Sequence, residues 1–236
     1  VTATATSPSR HPSASPSRHL ANSPPQAAAL APGTLLVCVQ DDAKIAMVDV
    51  ASREVVRTID LQALGFPATA KPHYIVVEPD RRHWYVSLIG ANTVAKFDAA
   101  GQVVGRFTME TPGMLALSGN TQLVVTRSMS AVNPPKRIAI IDRATMEGTE
   151  VDVVFPRPHP VAVERGFAFT GSLGTNQIAS VNLMTERVAL VNVAGPTHSF
   201  VQFAVSPDGR TLVGSTEVSG RLLVFDITTP ATPVFK

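Results

Sequence analysis

The feature that most constrains this chain is a short apolar run that recurs five times, each time closed by an aspartate or an asparagine. The closing residues are Asp49, Asp98, Asp142, Asn182 and Asp226. Successive closing residues lie 40 to 49 positions apart. Repetition at this spacing indicates one structural unit built several times over, in which each unit buries its apolar faces against its neighbours.

Each repeat carries the signals of four strands. Two β-rich runs are joined by a tight-turn signal such as Pro79-Asp80 or Gly119-Asn120. A polar loop then leads to the run that Asp or Asn closes, and that side chain is suited to cap the following turn. A final β-branched run completes the unit. No helix-period stretch of useful length exists, so the sequence predicts an all-β protein built of four-stranded antiparallel β-propeller blades.

Several phrases within these repeats resemble those of a known family. They are Glu78-Pro79-Asp80, Trp84-Tyr85-Val86-Ser87, Asn92-Thr93-Val94 and Ser206-Pro207-Asp208-Gly209-Arg210. The pattern resembles the YVTN-type repeats of bacterial β-propellers, within the quinoprotein amine dehydrogenase-like and lactonase-like superfamily, and covers about residues 34–236. The resemblance implies a ring of about seven blades and a location outside the cytoplasm. It says little about function, because propellers host many unrelated activities.

The number of repeats leaves two interpretations of the ring. The sequence contains four fairly complete repeats and part of a fifth, and it begins at the second strand of a blade. A ring must close, because an open end leaves an unpaired edge and an uncovered apolar face. We expect a fragment of a longer propeller, truncated at the C-terminus. The alternative is a small five-bladed ring whose first and last repeats supply each other's missing strands.

The N-terminal segment differs in composition from the repeats. Residues 1–32 are rich in Ser, Pro and Ala, and the chain begins with Val rather than Met. Such a segment cannot bury enough apolar surface to offset the entropy of ordering, so we expect a disordered leader or linker before the blades of residues 33–236. Together with the resemblance, it suggests a periplasmic or secreted protein. No run reaches the about 20 apolar residues that a membrane span needs.

Charge and cysteine content exclude several classes of function. The net charge is +2 and the basic residues are scattered, which does not indicate a nucleic-acid partner. Cys38 is the only cysteine, so a disulfide framework within the chain and a multi-cysteine metal site are excluded. We predict no cofactor, with a transition metal held by histidines as the alternative.

The polar residues most suggestive of a site are three histidines and one arginine. His73, His159 and His198 each fall just before the first, innermost strand of a repeat, and Gly113 takes that place in a fourth. Equivalent positions in a propeller meet near one mouth of the central channel, where they could contact a ligand or hold a metal. Arg127 follows a second strand and could pair with a carboxylate or phosphate. The structural alternatives are histidines that bond a neighbouring backbone and an internal ion pair.

No cofactor motif and no convincing nucleophile or acid–base pair stands out in the sequence. We therefore expect a binding or scaffold propeller, whose partner is a protein or a small molecule at the channel mouth. The alternative is an enzyme, since the resemblance extends to lactonases and to amine dehydrogenase subunits. None of their catalytic residues matches a position in this sequence.

Overall fold

A computed structural model describes residues 28–127 and 137–236 of the chain. The leader predicted for residues 1–32 lies outside these ranges except for its last five positions. Within them, Leu30 is buried in the first hydrophobic cluster, and its amide donates a hydrogen bond to the carbonyl of Arg81 at 2.9 Å. No helix among the described residues is long and apolar enough to cross a membrane.

The described residues form nineteen strands and three single-turn 3-10 helices. In chain order the strands are β1 (Thr34–Val39), β2 (Lys44–Asp49), β3 (Glu54–Asp60), β4 (Pro72–Val77), β5 (His83–Leu88), β6 (Thr93–Asp98), β7 (Val103–Thr108), β8 (Pro112–Ser118), β9 (Gln122–Arg127), β10 (Arg137–Asp142), β11 (Gly148–Asp152), β12 (Pro158–Glu164), β13 (Phe167–Ser172), β14 (Gln177–Asn182), β15 (Val188–Asn192), β16 (Phe200–Val205), β17 (Thr211–Thr216), β18 (Leu222–Asp226) and β19 (Val234–Phe235). The helical turns are Gln40–Asp42, Gln62–Leu64 and Ile89–Ala91.

The strands pair into five antiparallel sheets, and their order within each sheet follows the chain. Sheet 1 contains β1–β3, sheet 2 β4–β7, sheet 3 β8–β11, sheet 4 β12–β15 and sheet 5 β16–β19. The first strands of sheets 2 to 5, which we call the inner strands, lie side by side in the order β4, β8, β12 and β16. The prediction of five repeats is confirmed, and within the described residues the first sheet begins with the strand predicted to be the second of its repeat.

The residue that closes each apolar run caps the turn that follows it. Each side chain oxygen accepts a backbone N–H two to four residues ahead, at 2.7 to 3.0 Å. The five acceptors are Asp49, Asp98, Asp142, Asn182 and Asp226. This prediction from the repeat is confirmed because the cap involves only neighbours along the chain.

These caps make the fold sensitive to acid. The amides of Thr145 and Ala144 hold the pKa of Asp142 below its usual value of 3.8. The unfolded chain therefore takes up the proton first, and the stabilisation by Asp142 is present above about pH 3.8 and is lost as the pH falls through the folded pKa. In urea unfolding, Asp142→Ala should lower the free energy of unfolding at pH 7 and flatten its decline between pH 5 and about pH 2. Glu54→Ala, at an exposed position on β3, should leave both unchanged.

The hydrophobic core lies between the faces of neighbouring sheets. One cluster fills each of the four interfaces from sheet 1 to sheet 5. Trp84 stacks on Phe97 in the first, with ring centroids 4.1 Å apart. Phe200 and Phe225 anchor the last, between sheets 4 and 5. Because every interface is filled by residues of two sheets, each sheet depends on its neighbour for stability.

Glycine is required where the aromatic residues of sheet 5 reach sheet 4. A Cβ added at Gly171 would lie 2.8 Å from Phe200 Cβ and 2.9 Å from Phe203 Cζ. We expect Gly171→Ala to reduce the free energy of unfolding by about 1–3 kcal/mol, because the two rings must move. Gly174→Ala, just beyond the same strand, meets nothing closer than 3.5 Å and should change it little. Equal effects of the two substitutions in chemical denaturation would contradict this account.

No described residues form a sheet over the two outer faces of the array. The second strand of sheet 4, β13, is buried along nearly its whole length, whereas β17 in sheet 5 alternates between buried and less buried positions. The free face of sheet 5 exposes Leu222, Val224 and Val234 at 72%, 37% and 59%. The free face of sheet 1 exposes Leu35 and Val37, and within the described part of the chain β1 has no inner neighbour in its sheet.

Candidate functional site

All four inner strands begin with the same backbone irregularity. The residue before each strand has a positive φ between 44° and 60°, although none is a glycine, and the pairing register then shifts within the next three residues. The positive-φ residues are Lys71, Thr111, Arg157 and Ser199. A bulge of this kind redirects the side chains beside it. We call this end of the inner strands the channel mouth.

The bulges bring two of the predicted histidines together. His73 and His159 are the second residues of β4 and β12, and their ring centroids lie 5.9 Å apart with the rings at 72°. Burial lowers the pKa of both imidazoles below the usual 6.5, so both rings are neutral at pH 7. The structure brings these two predicted residues together at the start of their strands, and their role in ligand binding stays a prediction.

His198 does not share their position, although the sequence pattern of the repeats predicts that all three histidines are equivalent. The residue equivalent to His73 and His159 is Val201, since the positive-φ residue of the last repeat is Ser199 and β16 begins at Phe200. The ring of His198 is buried, with Nε2 donating to the carbonyl of Ala194 at 3.1 Å and Nδ1 3.0 Å from Ser219 Oγ. Across the described part of the chain, no three His, Cys, Asp or Glu residues are grouped as a metal site.

Arg127 lies at the mouth end of β9, and its side chain is buried. Its guanidinium forms an ion pair with the half-exposed carboxylate of Glu110, on the segment that leads into β8. An internal ion pair was the structural alternative to ligand binding for this residue. The Glu110 carboxylate of this pair is at the surface of the mouth, whereas the Arg127 guanidinium lies beneath it. A ligand at the mouth would therefore meet both charges of the pair.

Thr126, next to Arg127, fixes the backbone of the mouth between sheets 3 and 4. Its Oγ1 accepts a hydrogen bond from the amide of Met114 at 3.0 Å and donates one to the carbonyl of His159 at 2.7 Å. The hydroxyl thereby holds the bulged start of β8 and positions His159. Ser87 accepts the amide of Tyr74 at the corresponding place in sheet 2.

A pair of isosteric substitutions tests the role of Thr126. Thr126→Val would leave a buried N–H and a buried C=O without their partner, and we expect it to cost about 1–3 kcal/mol of unfolding free energy. Thr170, also fully buried and on the corresponding strand β13 of sheet 4, has an Oγ1 without a hydrogen-bond partner among the described residues. Thr170→Val should therefore be neutral or stabilising. Denaturant midpoints that fall equally in both variants would refute this difference.

The sequence analysis did not predict two residues of the mouth region, Tyr74 and Gln40. The hydroxyl of Tyr74 on β4 lies 3.4 Å from Nε2 of Gln202 on β16, although the residues are 128 positions apart. Gln40, on the first helical turn, places Oε1 3.4 Å from Nδ1 of His73. Residue type did not mark them, because Tyr and Gln at such positions are equally common in packing roles. The only indications in the sequence were their places, Tyr74 within an inner strand and Gln40 in a loop of the preceding repeat.

A second polar cluster lies at the opposite end of sheets 2 and 3. The buried hydroxyl of Tyr85 donates to Oε1 of Glu78 at 2.5 Å, and Nη1 of Arg143 lies 3.6 Å from the same oxygen. Burial and the neighbouring carboxylate raise the pKa of Tyr85 far above its usual value. Arg143 occupies the place that Leu183 and Ile227 fill in later repeats, and it fastens sheet 3 to sheet 2.

No protein-family model and no curated protein matches the sequence, whereas many solved structures match the fold. A streptogramin B lyase matches with a TM-score of 0.67 and 15% identity, over 84% of this chain and 67% of its own. The hydrazine synthase of Kuenenia stuttgartiensis gives 0.66 and 14%, over 86% and 62%. A mitotic checkpoint complex gives 0.70 and 14%, over 86% and 60%.

The fold is that of a β-propeller. At these identities the likeness is one of fold alone. The three structures are those of a lyase, a synthase and a checkpoint complex. The chain spans between 60% and 67% of the length of each matched structure. Membership of the YVTN repeat family stays a prediction from the sequence motifs.

Proposed function

We propose that this chain acts as a binding propeller whose channel mouth receives a protein segment or a small molecule. The observation that carries the proposal is the buried Nε2 of His73, which has no hydrogen-bond partner among the described residues although it lies beside a second neutral imidazole. A buried polar atom without a partner costs stability, and its persistence favours a role in holding a ligand. Tyr74 and the pair of Arg127 with Glu110 add polar groups at the same end.

We further propose that the five sheets belong to a closed ring of about seven blades outside the cytoplasm, in the periplasm or secreted. The uncovered apolar faces of sheets 1 and 5 support a larger ring, because exposed β-sheet faces rich in Leu and Val invite association. The greater length of the matched propellers supports it as well. The Ser- and Pro-rich composition of residues 1–32 supports the location. A partner that is a protein accords with a matched structure that is itself a multi-protein complex.

A thermal-shift screen in buffer with EDTA tests the binding proposal. A compound or peptide at about a hundredfold excess over its Kd should raise the Tm by about 5–10 °C. We expect Tyr74→Phe and Arg127→Gln, both at the mouth, to reduce this shift at least by half. His83→Gln, at the opposite end of β5, serves as the matched control and should keep it. If a compound or peptide raises the Tm equally in the wild type and in both mouth variants, the proposal is wrong.

One contact favours a second candidate, a hydrolase of the lactonase type. Ser219 Oγ lies 3.0 Å from Nδ1 of His198, and the carbonyl of Ala194 holds the imidazole in the tautomer whose Nδ1 can accept a proton. In this candidate Ser219 Oγ attacks an ester carbonyl carbon while its proton passes to His198, which returns it to the leaving alkoxide. Water then hydrolyses the acyl-enzyme, with His198 as the base.

Labelling with a fluorophosphonate separates the two candidates. A hydrolase would form a covalent adduct at Ser219, detected by mass spectrometry, and would lose it in His198→Gln. An unlabelled Ser219 in folded protein would leave binding as the function of the mouth. Ser215→Ala, on the neighbouring strand β17, provides the control for non-specific labelling.

A further inference from the structure

Two contacts fix where His73 and His159 carry their protons. Nδ1 of His159 lies 2.8 Å from the carbonyl oxygen of Val201, which can only accept a hydrogen bond, so Nδ1 bears the proton. Nδ1 of His73 lies 3.4 Å from Oε1 of Gln40, and a proton on this nitrogen satisfies that contact as well. In both neutral rings the free lone pair is therefore on Nε2.

Among the described residues, the Nε2 lone pair of His73 has no hydrogen-bond donor. The atom is buried and makes no hydrogen bond, and His159 beside it offers a second lone pair rather than an N–H. The two ring centroids lie 5.9 Å apart, and two acceptor nitrogens cannot satisfy each other's hydrogen bonding. An electron-pair acceptor shared between the two rings would satisfy both.

We propose that His73 and His159 together bind one divalent transition-metal ion at the channel mouth through their Nε2 atoms. Metal-binding histidines commonly donate their other ring N–H to a carbonyl or similar oxygen, as both rings do here. Two imidazoles on one ion, at nitrogen–metal distances of about 2.0–2.1 Å, place their ring centres about 5–6 Å apart. The observed separation of 5.9 Å falls within that range.

The surroundings define what kind of site this is. Imidazole ligands favour copper, nickel or zinc over magnesium or calcium. A positive charge, on Arg157, and a negative charge, on Glu217, both act on His159. In the described residues no third His, Cys, Asp or Glu joins the pair, which leaves the other coordination positions to water or to a bound ligand. The ion would lie at the mouth that the proposed function assigns to the partner, but its binding does not require that partner.

Isothermal titration of the full chain with CuCl2, NiCl2 and ZnCl2 at pH 7.5 tests the site. We expect one ion per chain, with copper bound most tightly. His73→Gln and His159→Gln should each weaken binding at least about tenfold. The double variant His11→Gln/His19→Gln removes the two histidines of the N-terminal segment, and the single variant His83→Gln removes one at the opposite end of β5; we expect both to keep the binding.

Wild-type protein provides a readout that does not depend on how the variants fold. Long-range 1H–15N spectra of the imidazoles should show Zn2+ shifting the Nε2 signals of His73 and His159 while their Nδ1 atoms stay protonated. Unmoved Nε2 signals, dissociation constants no tighter than millimolar, or binding that survives both His73→Gln and His159→Gln would overturn the inference. A compound that still stabilises the protein in EDTA would then leave the proposed function intact.

Discussion

The packing of one sheet face against the next holds this propeller together. Strands β5, β9 and β13 are buried along almost their full length because a sheet covers them on both sides. The aromatic clusters at the interfaces, such as Trp84 on Phe97, join residues of adjacent sheets or strands rather than forming one central core. At either end of the array the same kind of sheet has one apolar face that no described sheet covers. Stability therefore rises with each neighbour, as in other repeat proteins.

The channel mouth depends on this packing in turn. Four non-glycine residues with positive φ precede the inner strands, a conformation that persists only where the surroundings enforce it. The bulges that follow are held by hydroxyl groups such as that of Thr126, which spans two sheets. His73 and His159 are thus oriented by backbone that the neighbouring sheets keep in place. This is a rigid arrangement of a kind suited to binding, since little ordering is needed when a ligand arrives.

Sequence reasoning was most successful where the chemistry is local. A closing Asp or Asn caps its turn through amides at most four residues ahead, so its role could be predicted without a fold. The position of the histidines was predicted only in part. Thr197-His198 looks like the Pro-His pairs of other repeats, but the last inner strand starts two residues after His198. An inner strand begins where the neighbouring sheet accommodates a bulge and a residue with positive φ. The residue types in the sequence do not reveal this position.

The sequence by itself determined the repeat unit, the presence of five sheets, the strand with which the first sheet begins and the residues that cap the turns. These features follow from spacing and from bonds between near neighbours in the chain. Only the tertiary structure decided which polar groups meet. Tyr74 reaches Gln202 across 128 positions, and Tyr85, Glu78 and Arg143 gather at the opposite end, because register and sheet-to-sheet packing bring distant segments together. Such contacts have no signature in local sequence, since the same side chains in the same order could face another sheet or the solvent.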